Sequence, residues 1–451
     1  LISLTYEKGV LDIKSEFRLP HTSWDEPSRC YKAMPLDYRE IVEYLKRSRL
    51  EYIDRVMDPP LMPQLQVDLD LRDYQLEALD NWLATKQGVI VLPTGSGKTI
   101  LALKAIAELN LPAMVVVPTL DLVRQWSQEV EDKLGITPGI YNGEEHNLGP
   151  ITIATYDTAY IRAEELGNKF FLIVFDEVHH LPSPGYSQIA ELFASPYRMG
   201  LTATYEREDG LHSDLNRLVG GKVYELDIKE LSGVHLAEYR TERIYVDLTP
   251  EEREEYEKRQ RIFSTYLKKR GIYMKKPGDL QRIIMMSGHD PEAREALLAR
   301  NEARKIAINS VSKLEALDKL LEERWGERTI IFTEYNSLVD LISRGFLLPA
   351  ITYKTDKRER VEILDEFKKG NYRAIVTSKV LDEGVDVPEA SVGVILGGSG
   401  TIREYRQRLG RLLRKSGDKV ATLYEIVSKE TSEVSTSRRR RRDVDQRSST
   451  G

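Results

Sequence analysis

The chain has 451 residues, 41% hydrophobic and 31% charged, a globular composition with length for about three domains. No apolar run approaches the roughly 20 residues of a membrane helix, which excludes a bilayer-spanning class. The net charge of −6, from 66 basic and 72 acidic residues, does not exclude a nucleic-acid partner, because backbone binding depends on where Lys and Arg cluster.

Residues 1–66 read as a separate region, with Pro20, Pro27 and Pro35 in its middle and a helical pattern from Leu36 to Arg49. Its early charges, among them Glu7, Lys8 and Asp12, predict no secretory leader, and the single cysteine, Cys30, excludes an internal disulfide framework and suits a reducing cytosol. The run Pro59-Pro60-Leu61-Met62-Pro63 reads as a linker. From Leu71 to about Glu225, apolar runs alternate with helical segments, the pattern of an α/β domain with a parallel sheet, with strands expected over 88–91, 113–117, 151–154 and 172–175. A second alternation begins near Lys313, with strands expected over 329–332, 374–376, 392–396 and 421–424. The domains expected are therefore 1–66, 67–230 and 231–451. Within the last, 249–309 is charged, helical and poor in strands. There, Tyr256, Phe263, Tyr266 and Tyr273 interleave with Lys268, Lys269, Arg270, Lys275 and Lys276. Two readings stay open for that segment: an aromatic and basic nucleic-acid surface, or an amphipathic helical insertion whose tyrosines pack inward. The tail from Ser428 onward is polar and is expected to be mobile, and its Arg438–Arg442 run fits either DNA phosphates or a solvated end.

Leu92-Pro93-Thr94-Gly95-Ser96-Gly97-Lys98-Thr99 follows the apolar run Gly88–Val91 and leads into the helix-forming stretch Ile100–Leu109. This order suits a nucleoside triphosphate. Gly95 and Gly97 allow a tight turn of backbone N–H groups around phosphates, Lys98 can pair with the β/γ oxygens, and the Thr99 hydroxyl can ligate magnesium. Leu92 occupies the position of the first glycine in the usual phosphate-loop pattern. Further on, the apolar run Phe171–Phe175 ends in Asp176-Glu177-Val178-His179-His180, with its carboxylates expected at the ligand edge of a parallel sheet. Asp176 would hold hydrated magnesium and Glu177 would orient or deprotonate the attacking water, a hydrolase rather than a kinase arrangement. His179 and His180 have no Cys or third His at ligand spacing, which argues against zinc. In Gln407-Arg408-Leu409-Gly410-Arg411-Leu412-Leu413-Arg414, helical spacing puts Gln407, Arg411 and Arg414 on one side, where arginines supplied by a second domain can stabilise charge on a transferred phosphoryl group.

The order of Leu71-Arg72-Asp73-Tyr74-Gln75, the phosphate loop, Val117-Pro118-Thr119, Ile153-Ala154-Thr155-Tyr156, the Asp176–His180 element, Leu201-Thr202-Ala203-Thr204, Ile331-Phe332-Thr333, the stretch Ser378–Pro388 and the Gln407–Arg414 element resembles that of superfamily 2 helicases. Arg207-Glu208-Asp209, just past Thr204, narrows the resemblance to the XPB helicases in their short archaeal form. The resemblance covers about Leu71 to Tyr424. It implies two tandem RecA-like parallel-sheet domains, a small N-terminal domain linked to recognition of distorted DNA, and a thumb-like helical insertion at 249–309. It also implies an ATP- and magnesium-dependent 3′–5′ DNA helicase or double-strand translocase acting in DNA repair and transcription.

On that resemblance, Arg72 and Gln75 would contact adenine, while Thr94, Gly95, Ser96, Gly97, Lys98 and Thr99 would hold the phosphates. Gly384 and Asp386 would read ATP from the second domain, and Gln407, Arg411 and Arg414 would sense the γ-phosphate. Thr202 and Thr204 would couple hydrolysis to movement, and Pro118, Thr119, Arg124, Thr155 and Thr333 would touch the nucleic-acid backbone. The triplet Arg207, Glu208 and Asp209 is either a wedge or domain-contact element, or a solvated loop. The implied partners are DNA and either a nuclease or a repair and transcription complex, around a monomeric motor without a membrane. The implied location is the cytoplasm in a prokaryote and the nucleus in a eukaryote. An RNA helicase and an ATP-gated DNA-binding scaffold with little unwinding are the alternative functions.

Overall fold

The computed structural model describes residues 2–207, 209–226, 239–274, 277–378, 390–397 and 421–445. They fall into two compact units that divide between Glu230 and Leu231. Of the predicted site residues, Glu208, Gly384, Asp386, Gln407, Arg411 and Arg414 lie outside the described residues.

The first unit opens with a five-stranded sheet of β1 (Ile2–Glu7), β2 (Val10–Lys14), β3 (Ser23–Asp25), β4 (Cys30–Ala33) and β5 (Tyr52–Arg55), in the order β3-β4-β2-β1-β5. Lys8 (φ 45°) and Gly9 (φ 82°) turn β1 back onto β2, the double positive-φ geometry of a two-residue hairpin. Helix Tyr38–Arg47 lays Tyr38, Ile41 and Leu45 on Ile2, Leu4, Leu11 and Ile13, completing a small core. The helix agrees with the expected 36–49 pattern; the strands around it were not anticipated from the sequence.

This small core is not closed on itself, since Ala194 of the following sheet domain belongs to it. The Tyr6 hydroxyl lies 3.1 Å from the carbonyls of both Glu164 and Leu192. The Asp58 N–H donates to the Asn168 carbonyl at 2.9 Å, and Asn168 Nδ2 donates to the Val56 carbonyl at 3.0 Å. Residues 56–72, which include the proline-rich run, have no regular secondary structure but are tied down, with the Leu65 N–H donating to Asn110 Oδ1 at 2.8 Å. A Cβ on Gly167 would meet the Tyr6 hydroxyl at 2.1 Å and the Leu192 carbonyl at 2.3 Å, although its backbone (φ −62°) suits any residue. Gly167→Ala is therefore expected to cost about 1–3 kcal/mol through overpacking. Hydrogen exchange should show faster opening of β1 and β5 while the neighbouring parallel sheet stays protected; unchanged protection of β1 would show that this seam yields without cost.

The parallel sheet consists of β6 (Gln87–Val91), β7 (Ala113–Val117), β8 (Gly139–Tyr141), β9 (Ile151–Thr155), β10 (Leu172–Asp176), β11 (Tyr197–Thr202) and β12 (Lys222–Glu225), in the order β12-β6-β11-β10-β7-β9-β8. Every residue of β7, β9 and β10 is buried, which explains their unbroken apolar character: helices cover both faces of such a sheet. Asp176 pairs with Leu201, and Thr202 with Val91, so the carboxyl ends of β6, β10 and β11 share one edge.

The second unit is a six-stranded parallel sheet of β13 (Tyr239–Val246), β14 (Thr329–Phe332), β15 (Ala350–Ile351), β16 (Ala374–Thr377), β17 (Val392–Ile395) and β18 (Ala421–Ser428), ordered β13-β18-β17-β14-β16-β15. Helices Pro250–Lys269, Pro277–Met286 and Pro291–Ile308 follow β13. A capping box of Thr249 with Glu252 starts the first of them, and the Asp290 carboxylate starts the third. Tyr256, Phe263 and Tyr266 point inward, against a stripe of small residues including Ala293, Ala296, Ala303 and Ala307. For these three aromatics the inward-packing reading holds; Tyr273 alone is 75% exposed. Lys269 and Arg270 are engaged by Glu292 and Asp290 at 2.7 and 2.8 Å, which lessens their availability to an external phosphate.

The expectation of a mobile tail from Ser428 fails over most of its length. Ser428 ends β18, and helix Ser432–Asp445 follows. Glu433 of that helix pairs at 2.6 Å with Lys313, which is 1% exposed, and the Ser437 hydroxyl donates to the buried Glu425 carboxylate. Polar composition suggests mobility, but Glu433 and Ser437 find their partners in Lys313 and Glu425 of the domain body.

Candidate functional site

The phosphate-loop residues sit at the shared carboxyl edge of the first parallel sheet. The Leu92 N–H donates to the Thr202 carbonyl at 3.0 Å, extending β6 beside β11 before the chain turns. Gly95 (φ 82°) and Gly97 (φ 81°) make the turn in the left-handed region, and Gly97 caps helix Lys98–Leu109. Ser96 is wholly buried, its hydroxyl donating to the Pro93 carbonyl at 2.6 Å. Lys98 Nζ reaches the Leu92 and Pro93 carbonyls at 3.2 and 3.4 Å, so its ammonium lies over the hollow of the loop. Thr99 follows in the first turn of the helix.

Helix Asp73–Thr85 holds the loop from outside. Buried Gln75 donates through Nε2 to the carbonyls of Ser96 and Gly97 at 2.9 and 3.2 Å, and its Oε1 accepts the Arg72 N–H at 2.9 Å. The Tyr74 hydroxyl donates to the same Ser96 carbonyl at 2.7 Å, leaving the exposed Arg72 guanidinium beside it. Nothing in the sequence alone marks Tyr74 for this role, although it lies between Arg72 and Gln75.

Asp176 and Glu177 end β10 facing this loop's strand edge. Asp176 Oδ2 accepts the indole N–H of Trp126 at 2.9 Å, and Oδ1 accepts the Glu177 N–H at 3.0 Å. Burial first, then the Glu177 carboxylate, push the Asp176 carboxyl up to about 6, while Trp126 and Lys98 pull it back. Glu177 is a non-glycine residue in the left-handed region (φ 48°, ψ 53°), a conformation that costs energy and aims its side chain away from the strand. Its Oε2 lies 3.3 Å from His179 Nδ1, and that nitrogen is 3.1 Å from the Thr202 hydroxyl. Thr202 Oγ1 in turn donates to the Thr204 carbonyl at 2.9 Å and accepts the Thr204 N–H at 3.1 Å. A buried chain thus runs from Glu177 through His179 to Thr202 and Thr204. No group of three or more His, Cys, Asp or Glu side chains placed to hold a metal ion is present among the described residues, and His179 and His180 are packed ring to ring with centroids 4.3 Å apart.

Three features fit a triphosphate with its cation. Gly97 holds φ at 81°, a conformation that suits glycine, and a Cβ there would displace Gln75 Nε2 at 2.5 Å, so the turn that aims the loop N–H groups is built for a glycine. Thr94 Oγ1 is buried with no hydrogen-bond partner among the described residues. A divalent cation beside Asp176 would remove the penalty on its charged form, and hard carboxylate and hydroxyl oxygens suit magnesium.

Arg207 is not a freely solvated side chain. Its guanidinium donates to the His179 carbonyl, to the Ser183 hydroxyl at 3.3 Å, and to both oxygens of Asp209 at 3.0 and 2.6 Å. The same guanidinium holds the Asp209 carboxyl down to about 2. The solvated-loop reading therefore fails for Arg207, while Asp209, 46% exposed, faces outward.

Pro118, Thr119 and Thr155 stand next to one another where β7 and β9 end, Val117 pairing with Thr155. Thr119 and Thr155 each cap the following helix, accepting the N–H groups of Leu122 and Thr158. Arg124 lies exposed on helix Leu120–Leu134. In the second unit, Thr333 is buried just after β14; its Oγ1 has no partner among the described residues, and its N–H donates to the Thr377 carbonyl at 3.0 Å.

Residues 4–56 match the family model of the xeroderma pigmentosum group B helicase damage recognition domain, residues 68–207 that of the type III restriction enzyme res subunit, and residues 312–416 that of the helicase conserved C-terminal domain. The chain is 47% identical to the DNA 3′-5′ translocase XPB2 of Sulfurisphaera tokodaii, over 98% of the chain and 100% of the relative. It is 30% identical to the DNA 3′-5′ helicase XPB of Kineococcus radiotolerans, over 80% of the chain and 60% of that longer protein. The fold is similar to the Hef helicase domain of Pyrococcus furiosus, with a TM-score of 0.55 at 21% identity, covering 82% of the chain and 98% of that domain.

Proposed function

Since the chain belongs to the XPB helicase family, we propose that it is an ATP-driven DNA helicase or double-strand translocase, with its hydrolytic site at the shared edge of β6, β10 and β11. The observation that carries this reading is the meeting there of the glycine-turned phosphate loop, Lys98, Asp176 and Glu177, within a chain that matches a DNA translocase along its whole length. Lys98, Thr99 and the loop N–H groups bind the phosphates; Thr99 and Asp176 hold magnesium. When bound, magnesium neutralises charge on the phosphate oxygens. Glu177 orients the attacking water and takes its proton, with its left-handed backbone fixing the approach. Arg72 recognises the base, and Gln75 does so by exchanging its present bonds to Ser96 and Gly97, while the Thr202–Thr204 chain passes the state of Glu177 into the segment carrying Arg207.

In this reading Gly384, Asp386, Gln407, Arg411 and Arg414 also act on the nucleotide. Pro118, Thr119, Arg124 and Thr155 meet the DNA backbone in this reading, as does Thr333 once its buried hydroxyl is uncovered, and residues 249–309 serve as a thumb. The protein acts in DNA repair, and its partners include a nuclease or a repair and transcription assembly.

ATPase rates measured with duplex DNA, single-stranded DNA and RNA test the proposal. DNA is expected to stimulate hydrolysis at least ~10-fold more than RNA at matched salt, because phosphate contacts alone would respond to both. Equal stimulation by RNA would turn the reading to an RNA helicase. Stimulation by DNA without strand separation, or DNA translocation, would leave an ATP-gated scaffold.

A further inference from the structure

Helix Leu120–Leu134 has two faces in different company. Leu122, Val123, Trp126, Val130 and Leu134 recur at helical spacing and are buried, while Arg124, two positions from Trp126 and so about 200° round the axis, is exposed. The helix starts from its cap at Thr119, beside Thr155, on the side of the sheet read above as meeting the DNA backbone. On the inner face, the Trp126 indole N–H donates to Asp176 Oδ2 at 2.9 Å, with the indole only 1% exposed. A buried indole needs a partner for its one donor, and here the partner is a carboxylate whose other oxygen is already fixed by the Glu177 N–H. The Asp176 carboxylate is therefore gripped twice, once by its own strand and once by a helix 50 positions away in the chain.

We propose that Trp126 is a positioning residue for hydrolysis: its N–H fixes the Asp176 carboxylate and ties it to the helix whose outer face, with Arg124, meets the DNA backbone. The inference rests on the reading of Asp176 as a magnesium ligand. A shift of this helix would move the indole and with it Asp176 Oδ2, one of the two carboxylate oxygens that would hold magnesium. The other carboxylate, Glu177, is approached from the opposite neighbour, β11, through His179 and Thr202. Two adjacent carboxylates are thus addressed by two different elements, and only the Trp126 route begins on the DNA side of β7.

The test uses the full chain with Trp126 replaced by benzothienylalanine, which keeps the outline of indole but carries sulfur in place of N–H, alongside Trp126→Phe. Mn2+ binding to the ADP complex, followed by electron paramagnetic resonance, is expected to weaken about 10-fold, and kcat of duplex-stimulated hydrolysis to fall about 10- to 100-fold, the range for loss of a group that orients a metal ligand. The KM for ATP should change less than ~3-fold, as expected when an interaction acts on turnover rather than on ground-state binding. Melting temperature and DNA affinity without nucleotide should stay at wild-type values in the benzothienylalanine protein, which decides the question if Trp126→Phe folds poorly. Wild-type Mn2+ affinity and kcat in that protein would overturn the proposal. Asp176→Asn serves as the separating control: if it also leaves Mn2+ affinity intact, the metal-ligand reading has failed, and the inference falls with it.

Discussion

Glu177→Gln is expected to bind ATP with near wild-type affinity and to turn it over at least ~100-fold more slowly, because the amide keeps the size and the contact with His179 but cannot accept a proton. The neighbouring interactions allow that separation. The backbone that aims Glu177 is set by the bond from its N–H to Asp176 Oδ1, which the substitution leaves in place. Lys98→Ala should behave differently, losing both binding and hydrolysis, since the ammonium that lies over the loop between the Leu92 and Pro93 carbonyls is then gone. Fluorescent-nucleotide titration together with single-turnover hydrolysis distinguishes the two. Wild-type turnover in Glu177→Gln would remove that side chain from proton transfer and leave water positioning to another group.

The largest effect on stability is expected from a residue with no part in this chemistry. Arg198, on β11, is 1% exposed and donates to four backbone carbonyls: Ala190 at 2.8 Å, Leu218 at 2.9 Å, Phe193 at 2.6 Å and Ser195 at 3.1 Å. Ala190 lies in the last turn of helix Ser187–Leu192, and Leu218 ends helix Leu215–Leu218, so the guanidinium satisfies helix-end carbonyls that have no intrahelical partner. Burial pulls its pKa down to about 9, which still leaves it charged at neutral pH. Arg198→Met keeps much of the apolar stem but strands those carbonyls, at a cost of about 3–5 kcal/mol. The first thermal transition should drop on the order of 10 °C. An unchanged transition would mean that water or a backbone shift replaces the guanidinium.

The parts of this molecule legible from sequence are those written in short continuous segments. The phosphate loop and the Asp176-Glu177 pair each combine a buried strand with its own carboxyl-terminal turn, so strand, turn and chemistry are read from about ten neighbouring residues. The parallel strands were equally visible, because burial on both faces makes them unbroken apolar runs. Trp126 was not, since its helical spacing marks it as buried but nothing local says that its N–H reaches Asp176. The four carbonyls bound by Arg198 were hidden for the same reason: three lie within eight residues of it, and only the fold of helix Ser187–Leu192 turns them inward. The opening sheet is hidden for a different reason. Ile2 and Leu4, then Leu11 and Ile13, alternate with polar residues on either side of Lys8-Gly9, a period-two hairpin signal that the prolines further along obscured.

The seam formed by Tyr6, Gly167, Asn168 and Asp58 sets how force passes out of the first five strands. A module on a slack tether would sample its surroundings independently of the motor, and its encounters would depend on tether length. Here the proline-rich run is fastened along its course, so the opening sheet moves with the first parallel sheet as one body. Force applied to that sheet is therefore borne by the same frame that holds Lys98 and Asp176.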